Sequence, residues 1–131
     1  GGREGFLARP FQSAKVLRFG KYGGEEIKEM IYVVATIELA EGKRNDFLKR
    51  VRQLVPEVRA EKGCLEYGPA IDVLTGLKAQ MPLRENVVVM MEKWEDLKSL
   101  ETHLTAPHML KYREDVKGLV VGTKLQVLQP A

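Results

Sequence analysis

Apolar and β-branched residues dominate the stretch from Ile31 to Leu39, where Glu38 is the one charged residue, and this is the first clear pattern in the chain. A strand that is apolar at both odd and even positions is typical of a sheet covered on both faces. A second strand is predicted over Val87–Trp94, where alternate residues point to the same side. One face carries Asn86, Val88, Met90, Glu92 and Trp94, and the other carries Val87, Val89 and Met91.

An amphipathic helix is predicted between these strands. After Glu41-Gly42, apolar residues recur three and four positions apart, as one buried helical stripe requires: Phe47, Leu48, Val51, Leu54, Val55 and Val58. We expect Pro56 to disturb the last turns of this helix, because proline lacks the N–H that a helix interior uses. Lys62-Gly63 supplies a stop, since glycine accepts a positive φ.

The remaining elements are marked by turn and capping residues. A strand is predicted over Cys64–Val73 with a bend at Gly68-Pro69, followed by a loop over 74–85. Asp96 can cap a second helix that carries Leu97, Leu100 and Leu104, and Pro107 can begin a new helical turn that Gly118 ends. The last strand is predicted over Leu119–Leu128, with a bulge at Gly122.

This order, β-α-β-β-α-β, predicts an α+β protein with the split βαβ arrangement of ferredoxin-like folds and an antiparallel sheet. Two helices cover only one face of a four-stranded sheet, yet the strand at Ile31–Leu39 is apolar on both faces. The other face must meet something, and a second copy of the same face is the commonest answer. We therefore expect a homodimer that packs sheet against sheet.

Residues 1–29 differ from the rest of the chain. Six glycines punctuate this segment, and no apolar pattern persists beyond the short stretch Val16–Phe19. Because the chain begins with Gly1 and a self-contained pattern starts at Met30, we expect an N-terminal extension over 1–29 and a domain over 30–131. An addition upstream of the domain is the favoured interpretation. An organelle transit peptide and an arm packing on a partner subunit are the alternatives.

Length, charge and cysteine content limit the classes of protein to which this chain can belong. The 131 residues suit one domain. The net charge of +3 divides into +2 for residues 1–29 and +1 for the remainder, which argues against a nucleic-acid binder, since such a protein needs a concentrated basic face. No apolar run reaches the roughly 18–20 residues of a membrane helix. A single cysteine, Cys64, allows no internal disulfide and no thiolate metal cluster, so we expect a cytoplasmic protein with no bound metal.

Residues able to carry chemistry gather around the strand at 87–94 and the helix after it, and they have alternative structural interpretations. A buried charge is costly unless it is paired or used, and for Glu92 an inter-subunit salt bridge is favoured over a functional role. For Trp94, core packing is favoured over a place in a pocket wall. His103 could be a satisfied core histidine or a neutral imidazole that transfers protons. For His108, a capping or solvent role is favoured. Tyr67 and Tyr112 could be core rings or donors to a ligand oxygen.

Several short stretches resemble a known family. They are Glu92-Lys93-Trp94-Glu95-Asp96, Leu100-Glu101-Thr102-His103-Leu104 and Ala106-Pro107-His108-Met109, extended by Glu61-Lys62-Gly63-Cys64, Tyr67, Val116-Lys117-Gly118 and Leu128-Gln129-Pro130. Together they resemble the antibiotic biosynthesis monooxygenase (ABM) domain family over residues 30–131, and most of all its YgiN-type quinol monooxygenase branch.

The resemblance implies a ferredoxin-like protomer in a dimeric α+β barrel that oxidises a hydroquinone or a phenolic polycycle with O2 and no cofactor. An electron-rich hydroquinonate can itself reduce O2, so the protein need only remove a proton, hold the developing anion and exclude water. On this basis His103 is the expected proton acceptor and Trp94 a pocket wall and indole donor, with Tyr67 and Glu66 as secondary contacts. Glu92, His108 and Tyr112 complete the expected substrate-binding set.

Three rival interpretations remain at this point. Some fold relatives degrade haem with an Asn, a Trp and a His, where this chain holds Ala35, His103 and Arg113. A second group isomerises a phosphorylated autoinducer sugar, which would require an anion site near groups such as Arg84 or Lys111. The third rival is a non-catalytic dimer that binds a small ligand or serves in a stress response.

Overall fold

The computed structural model describes residues 16–19, 24–27 and 29–131, and its main sheet follows the predicted βαββαβ order with the second helical region split in two. The elements, in chain order, are β1 (Val16–Phe19), β2 (Gly24–Ile27), β3 (Ile31–Leu39), α1 (Arg44–Arg59), β4 (Cys64–Ala70), β5 (Val87–Trp94), α2 (Leu97–Leu104), α3 (Pro107–Val116) and β6 (Val120–Leu128).

The four-stranded sheet has the order β4-β5-β3-β6, with every neighbouring pair antiparallel, as in a ferredoxin-like α+β fold. Opposite residues in an antiparallel pair point to the same face. Val33 is opposite Glu92 on β5 and Val127 on β6, so all three lie on the face that the helices cover. Tyr32 and its partner Leu128 lie on the other face.

The hydrophobic core lies between that covered face and the helices. All six residues of the predicted stripe on α1 are buried, and so are the alternate β3 residues Val33, Ala35 and Ile37. The 3,4 spacing of α1 and the two-residue period of β3 therefore place their apolar sides against each other.

Local predictions fail at Pro56 and at the end of β4. Pro56 does not interrupt α1, which continues to Arg59 with the Ala60 N–H bonded to the Pro56 carbonyl at 3.2 Å. Because proline lacks an N–H, the helix loses only the one backbone hydrogen bond that this N–H would make, and so near its end this does not interrupt it. β4 ends at Ala70 rather than Val73, because the Asp72 carboxylate binds the backbone N–H and the guanidinium of Arg84 and turns the chain into a loop.

One of the two predicted strand irregularities is placed correctly. Gly68 pairs regularly with Met91, so the predicted bend there is wrong, and the β4 register shifts instead between Cys64 and Glu66. On β6 the register shifts next to Gly122, as predicted, since Glu38 pairs with Gly122 and the following residue of β3 pairs with Val120.

The second face of the sheet is open within the described chain. Tyr32, Met91 and Leu128 on this face are 38%, 49% and 44% exposed. The loop over 71–86 carries a further set of exposed apolar side chains: Ile71, Val73, Leu74, Leu77, Met81 and Leu83. Within the described residues, this face and this loop thus expose neighbouring apolar side chains to water, a feature typical of interaction surfaces.

The described part of the predicted extension contains a pair of strands. β1 and β2 pair with each other as a separate two-stranded sheet, with Val16 opposite Ile27. The sequence marked the apolar stretch of β1 but not its pairing with β2. Residues 1–15, 20–23 and 28 lie outside the described residues, so the division into an extension and a domain stays a prediction. None of the helices in the described part of the chain combines the length and the apolar character needed to cross a membrane.

Candidate active site

A cavity of about 440 Å³ opens between the covered face of the sheet and helices α2 and α3. This volume falls within the range of small-molecule sites. Its wall is mostly apolar and includes a few polar side chains; it consists of Ala35, Ile37, Tyr67, Met90, Glu92, His103, Leu104, Met109, Tyr112, Arg113, Val116, Lys117, Val120, Thr123 and Leu125.

His103 is placed at this cavity by the short helix α2. The Asp96 carboxylate caps the helix by accepting the Ser99 N–H at 2.8 Å. Leu100 and His103, one turn apart, are the buried residues of the helix. The His103 side chain is only 2% exposed, and its ring centroid lies 4.6 Å from that of Trp94.

A carboxylate fixes the orientation of this imidazole. His103 Nδ1 lies 2.8 Å from Glu61 Oε2, and His108 Nε2 lies 2.8 Å from the same oxygen. An ionised carboxylate only accepts hydrogen bonds, so the nitrogen that faces it must carry the proton. His103 is therefore the Nδ1–H tautomer when neutral, and its basic lone pair is on Nε2.

The turn after α1 carries Glu61 to this position. Gly63 has a φ of +86°, in the region that favours glycine, and a Cβ there would collide with the side chain of Ser99. The Gly63 carbonyl accepts the Glu95 N–H at 2.8 Å, which ties the turn to the corner between β5 and α2. The predicted glycine stop thus also brings Glu61 beside His103.

Burial keeps the His103 imidazole neutral. Desolvation lowers the pKa of His103 below its usual value, and the hydrogen bond and charge of Glu61 only partly offset that effect. A neutral imidazole with a free Nε2 lone pair at the wall of an apolar cavity can accept a proton from an acidic O–H at neutral pH.

Glu92 is a second titratable group on the cavity wall. It is 8% exposed, and its Oε1 accepts the indole N–H of Trp94 at 3.0 Å. Burial raises the pKa of Glu92 to about 7, while the Trp94 hydrogen bond lowers it and the charge of Glu61 raises it. Near neutral pH this carboxyl can therefore either donate or accept a hydrogen bond.

Two tyrosines provide further hydroxyl groups. Burial raises the pKa of Tyr67 and of Tyr112, so both phenols keep their protons and can donate to an oxygen atom. Tyr67 packs edge-on against His103, with ring centroids 5.6 Å apart. Tyr112 packs edge-on against Phe47 at 6.1 Å, which fixes its ring on α3.

Four of the predicted site residues come together on the cavity wall: His103, Glu92, Tyr67 and Tyr112. Glu92 faces the helices rather than the open face of the sheet, so the favoured inter-subunit salt bridge across that face does not fit its position. Trp94 is fully buried behind Glu92, and its N–H is already used by that residue.

The other predicted residues lie elsewhere. Glu66 is exposed and lines a separate groove with Arg59 and Cys64, so the structure does not bring it to the cavity. His108 does not act as a cap or point only to solvent; it binds Glu61. Burial raises the pKa of the half-buried Cys64 thiol, which disfavours the reactive thiolate.

The residues named for the haem-degrading alternative and those named for the sugar-phosphate isomerase lie in different parts of the structure. Ala35, His103 and Arg113 all line the cavity. Arg84 is instead paired with Asp72 in the loop over 71–86, and Lys111 lies in a surface groove beside His108, so neither cation named for an anion site reaches the cavity.

Sequence reasoning missed Glu61 as a functional residue. It lies in a turn 42 residues before His103, and only tertiary packing brings the two together. One weak signal was available: a carboxylate just beyond the carboxyl end of a helix opposes the helix dipole, so such a residue needs another partner. Within the described residues, no group of three His, Cys, Asp or Glu side chains is arranged to hold a metal ion.

Comparison with known proteins identifies the family. Residues 30–115 match the profile described as antibiotic biosynthesis monooxygenase. The chain is also 38% identical over 103 residues to the probable quinol monooxygenase YgiN of Escherichia coli K12, an alignment that spans 77% of this chain and 98% of that protein. The chain belongs to the antibiotic biosynthesis monooxygenase family. The resemblance predicted from the sequence is thereby confirmed, and the protein is a monooxygenase by homology.

Solved structures share the fold of this chain. PA3566 from Pseudomonas aeruginosa is 27% identical, with a TM-score of 0.65 over 79% of this chain and 95% of that one. A conserved protein from Methanosarcina mazei Go1 shares the fold with a TM-score of 0.67 at 21% identity, over 79% of this chain and 95% of that one. The ferredoxin-like α+β fold is therefore the fold of these neighbours as well.

Proposed function

We propose that this ABM-family protein is a quinol monooxygenase that oxidises a hydroquinone or phenolic polycycle with O2. The observation that carries the proposal is the neutral imidazole of His103 at the wall of an apolar cavity, with Nδ1 bonded to Glu61 and Nε2 left as its basic atom. The name of the Escherichia coli relative, a probable quinol monooxygenase, supports the same class of substrate.

The proposed reaction balances without a cofactor. A hydroquinone and O2 give a hydroxyquinone and water: one oxygen atom replaces a ring C–H by C–OH, and the other leaves as water. All four electrons that reduce O2 come from the substrate, two from oxidation to the quinone and two from hydroxylation. No external reductant, metal or flavin is needed for this stoichiometry.

The cavity residues have distinct roles in this proposal. Nε2 of His103 takes a proton from a substrate hydroxyl and so raises the electron density of the ring. Tyr67 and Tyr112 donate to the developing oxyanion, and Glu92 contacts a second substrate oxygen. Trp94 supports Glu92 from behind rather than touching the substrate. The apolar wall holds the aromatic ring and excludes water.

We also propose that two copies pack through the open face of the sheet. The apolar side chains of that face, together with the exposed apolar residues of the loop over 71–86, would be covered in such a dimer. A homodimer in the form of an α+β barrel, which the family resemblance implies, stays a proposal for this chain. Cytoplasmic residence likewise stays a prediction.

The decisive experiment is oxygen consumption by metal-free protein supplied with reduced naphthoquinones. We expect saturable uptake above autoxidation, and a fall in kcat of about 10²–10⁴ in His103→Ala if this residue is the base. Lys98→Ala, an exposed position on the same helix, is the matched control and should keep full activity. Mass spectrometry with ¹⁸O2 should find one labelled oxygen atom in the product.

Two results would each contradict a different part of this proposal. Uptake that equals autoxidation would favour the non-catalytic ligand-binding alternative, and a screen of ligands against thermal stability would follow. An unchanged kcat in His103→Ala would remove the base assignment and leave the monooxygenase class in place.

A further inference from the structure

One carboxylate oxygen joins two histidines of different exposure. The His103 side chain is 2% exposed, that of Glu61 is 14% exposed and that of His108 is 24% exposed. Both imidazoles lie 2.8 Å from Glu61 Oε2. These three side chains thus form a continuous hydrogen-bonded connection from the cavity wall to the surface.

We propose that Glu61 is the positioning residue of the base, holding His103 as the Nδ1–H tautomer, and that His108 tunes this effect from the surface through the shared oxygen. The proposal rests on the proposed function, because it treats His103 as the proton acceptor. Neither Glu61 nor His108 touches the substrate in it; both act through His103.

The chemistry of the acceptor makes the carboxylate specific. When the substrate O–H bond breaks and Nε2–H forms, the proton on Nδ1 stays where it is, and the imidazolium lies against a negative charge. A glutamine at position 61 would lose that charge. Its amide could also present an N–H to Nδ1, which would favour the Nε2–H tautomer and block the basic atom.

Charged and titratable groups approach His103 from several elements: Glu61 from the turn after α1, Tyr67 from β4, Glu92 from β5, and His108 and Arg113 from α3. Glu61 raises the pKa of His103, whereas positive charge on His108 or Arg113 lowers it. Around His108 itself lie Arg50, Gln53, Glu57, Lys111 and Asp115. Loss of Glu61 and loss of His108 should therefore move the pKa of the base in opposite directions.

The kinetic test compares three variants of the full chain. In Glu61→Gln we expect kcat to fall by about 10²–10⁴, as for loss of the orienting carboxylate in other base–carboxylate pairs, with KM little changed. The acid limb of kcat/KM should move to lower pH. In His108→Gln, which keeps a donor to Glu61, the acid limb should move to higher pH. Glu101→Gln, which replaces an exposed carboxylate on α2, should behave as wild type.

A second measurement needs no turnover. Imidazole ¹⁵N NMR of the wild type at a pH where His103 is neutral should show the Nδ1–H tautomer, and Glu61→Gln should shift it towards Nε2–H. Thermal unfolding of each variant separates loss of the fold from loss of positioning, and Glu61→Ala replaces Glu61→Gln if that variant does not fold.

The two proposals can fail separately. A wild-type Nε2–H tautomer, or a Glu61→Gln variant with unchanged tautomer and pH profile, would overturn the positioning role while turnover stands. Absence of turnover in the wild type, with a tautomer that depends on Glu61, would overturn the proposed function and leave the Glu61–His103 relationship in place. Acid limbs that move in the same direction in Glu61→Gln and His108→Gln would contradict the role of His108.

Discussion

Trp94 and Glu92, two residues apart on β5, point to the same side of the sheet, and the indole N–H of one binds the carboxylate of the other at 3.0 Å. The tryptophan thereby satisfies a carboxyl group that would otherwise be buried without a donor. Glu92 lies on the cavity wall, so its carboxyl group can form further hydrogen bonds with a molecule in the cavity. This pairing explains how an ionisable side chain is kept at the wall of an otherwise apolar space.

The raised pKa of Glu92 predicts a pH-dependent stability. Between the ordinary carboxyl pKa of 4.5 and the folded value of about 7, the folded state holds a proton that the unfolded state has lost, so Glu92 costs stability as the pH rises. The free energy of unfolding of Glu92→Gln relative to wild type should rise by about 2–3 kcal/mol from pH 5 to pH 8. Urea denaturation of both proteins at several pH values measures this difference in the free energy of unfolding.

Glu66→Gln is the control for this measurement, because Glu66 is an exposed carboxylate on the neighbouring strand. Its free energy of unfolding should follow that of the wild type across the same pH range. If Glu92→Gln also follows the wild type, Glu92 is not the buried, proton-binding group described here.

The close approach of Ser99 to Gly63 predicts that a side chain at position 63 lowers stability by a steric clash as well as by backbone strain. A comparison with Gly42 separates the two effects. Gly63 and Gly42 both have positive φ, at +86° and +75°, but a Cβ at Gly63 would strike Ser99, while one at Gly42 would meet nothing within 4 Å. Gly42→Ala should cost about 1–2 kcal/mol, the strain of the left-handed region alone. Gly63→Ala should cost roughly 1–3 kcal/mol more from overpacking, measured by denaturant unfolding. Equal losses in the two variants would mean that the turn moves freely away from α2.

Strands and helices with a regular repeat of apolar residues were predictable from the sequence. β3 and β5 have the predicted bounds, and the buried stripe of α1 contains the six predicted residues. In each case burial of one face sets the pattern locally, so the sequence carries it. The end of β4 was not predictable in the same way, because the bond between Asp72 and Arg84 decides it across 12 residues.

The candidate site was predictable in part for the same reason. Alternation on β5 correctly indicated that Glu92 and Trp94 share a face, and helical spacing placed His103 near the apolar stripe. The contact of Glu61 with both histidines spans 42 and 47 residues and depends on how the turn after α1 meets α2 and α3. The hydrophobic periodicity of a single helix or strand does not indicate such a long-range contact.

The open face of the sheet predicts a dimer that one charge can disrupt. Met91 on that face is 49% exposed in the protomer, so Met91→Lys should leave the protomer folded. In a two-fold interface the substitution would bury two ammonium groups, which costs several kcal/mol. Light scattering at micromolar concentration should give twice the chain mass of 14.8 kDa for the wild type and the single mass for Met91→Lys.

Leu110→Lys is the matched control for the dimer, since Leu110 is 56% exposed on α3, away from the open face. It should remain dimeric. A monomeric wild type would contradict the proposed dimer, and dissociation of both variants alike would show that the open face is not the interface.

The division of the chain predicts that the extension is dispensable for folding. A chain over 30–131 keeps β3 to β6, helices α1 to α3 and every residue on the cavity wall. Its thermal midpoint should lie within a few degrees of that of the full chain. A large loss of thermal stability on removal of residues 1–29 would show instead that this segment is a structural arm.

The lowered pKa of His103 predicts a stability slope opposite to that of Glu92. Below the ordinary histidine pKa of 6.5 the unfolded chain binds a proton that buried His103 resists, so stability falls as the pH drops through this range. Glu92 acts in the other direction between 4.5 and about 7. The two effects partly cancel in the wild type. His103→Gln should therefore lose stability as the pH rises from 5 to 7, while Glu92→Gln should gain it, and parallel urea-denaturation profiles for the two variants would contradict both assignments.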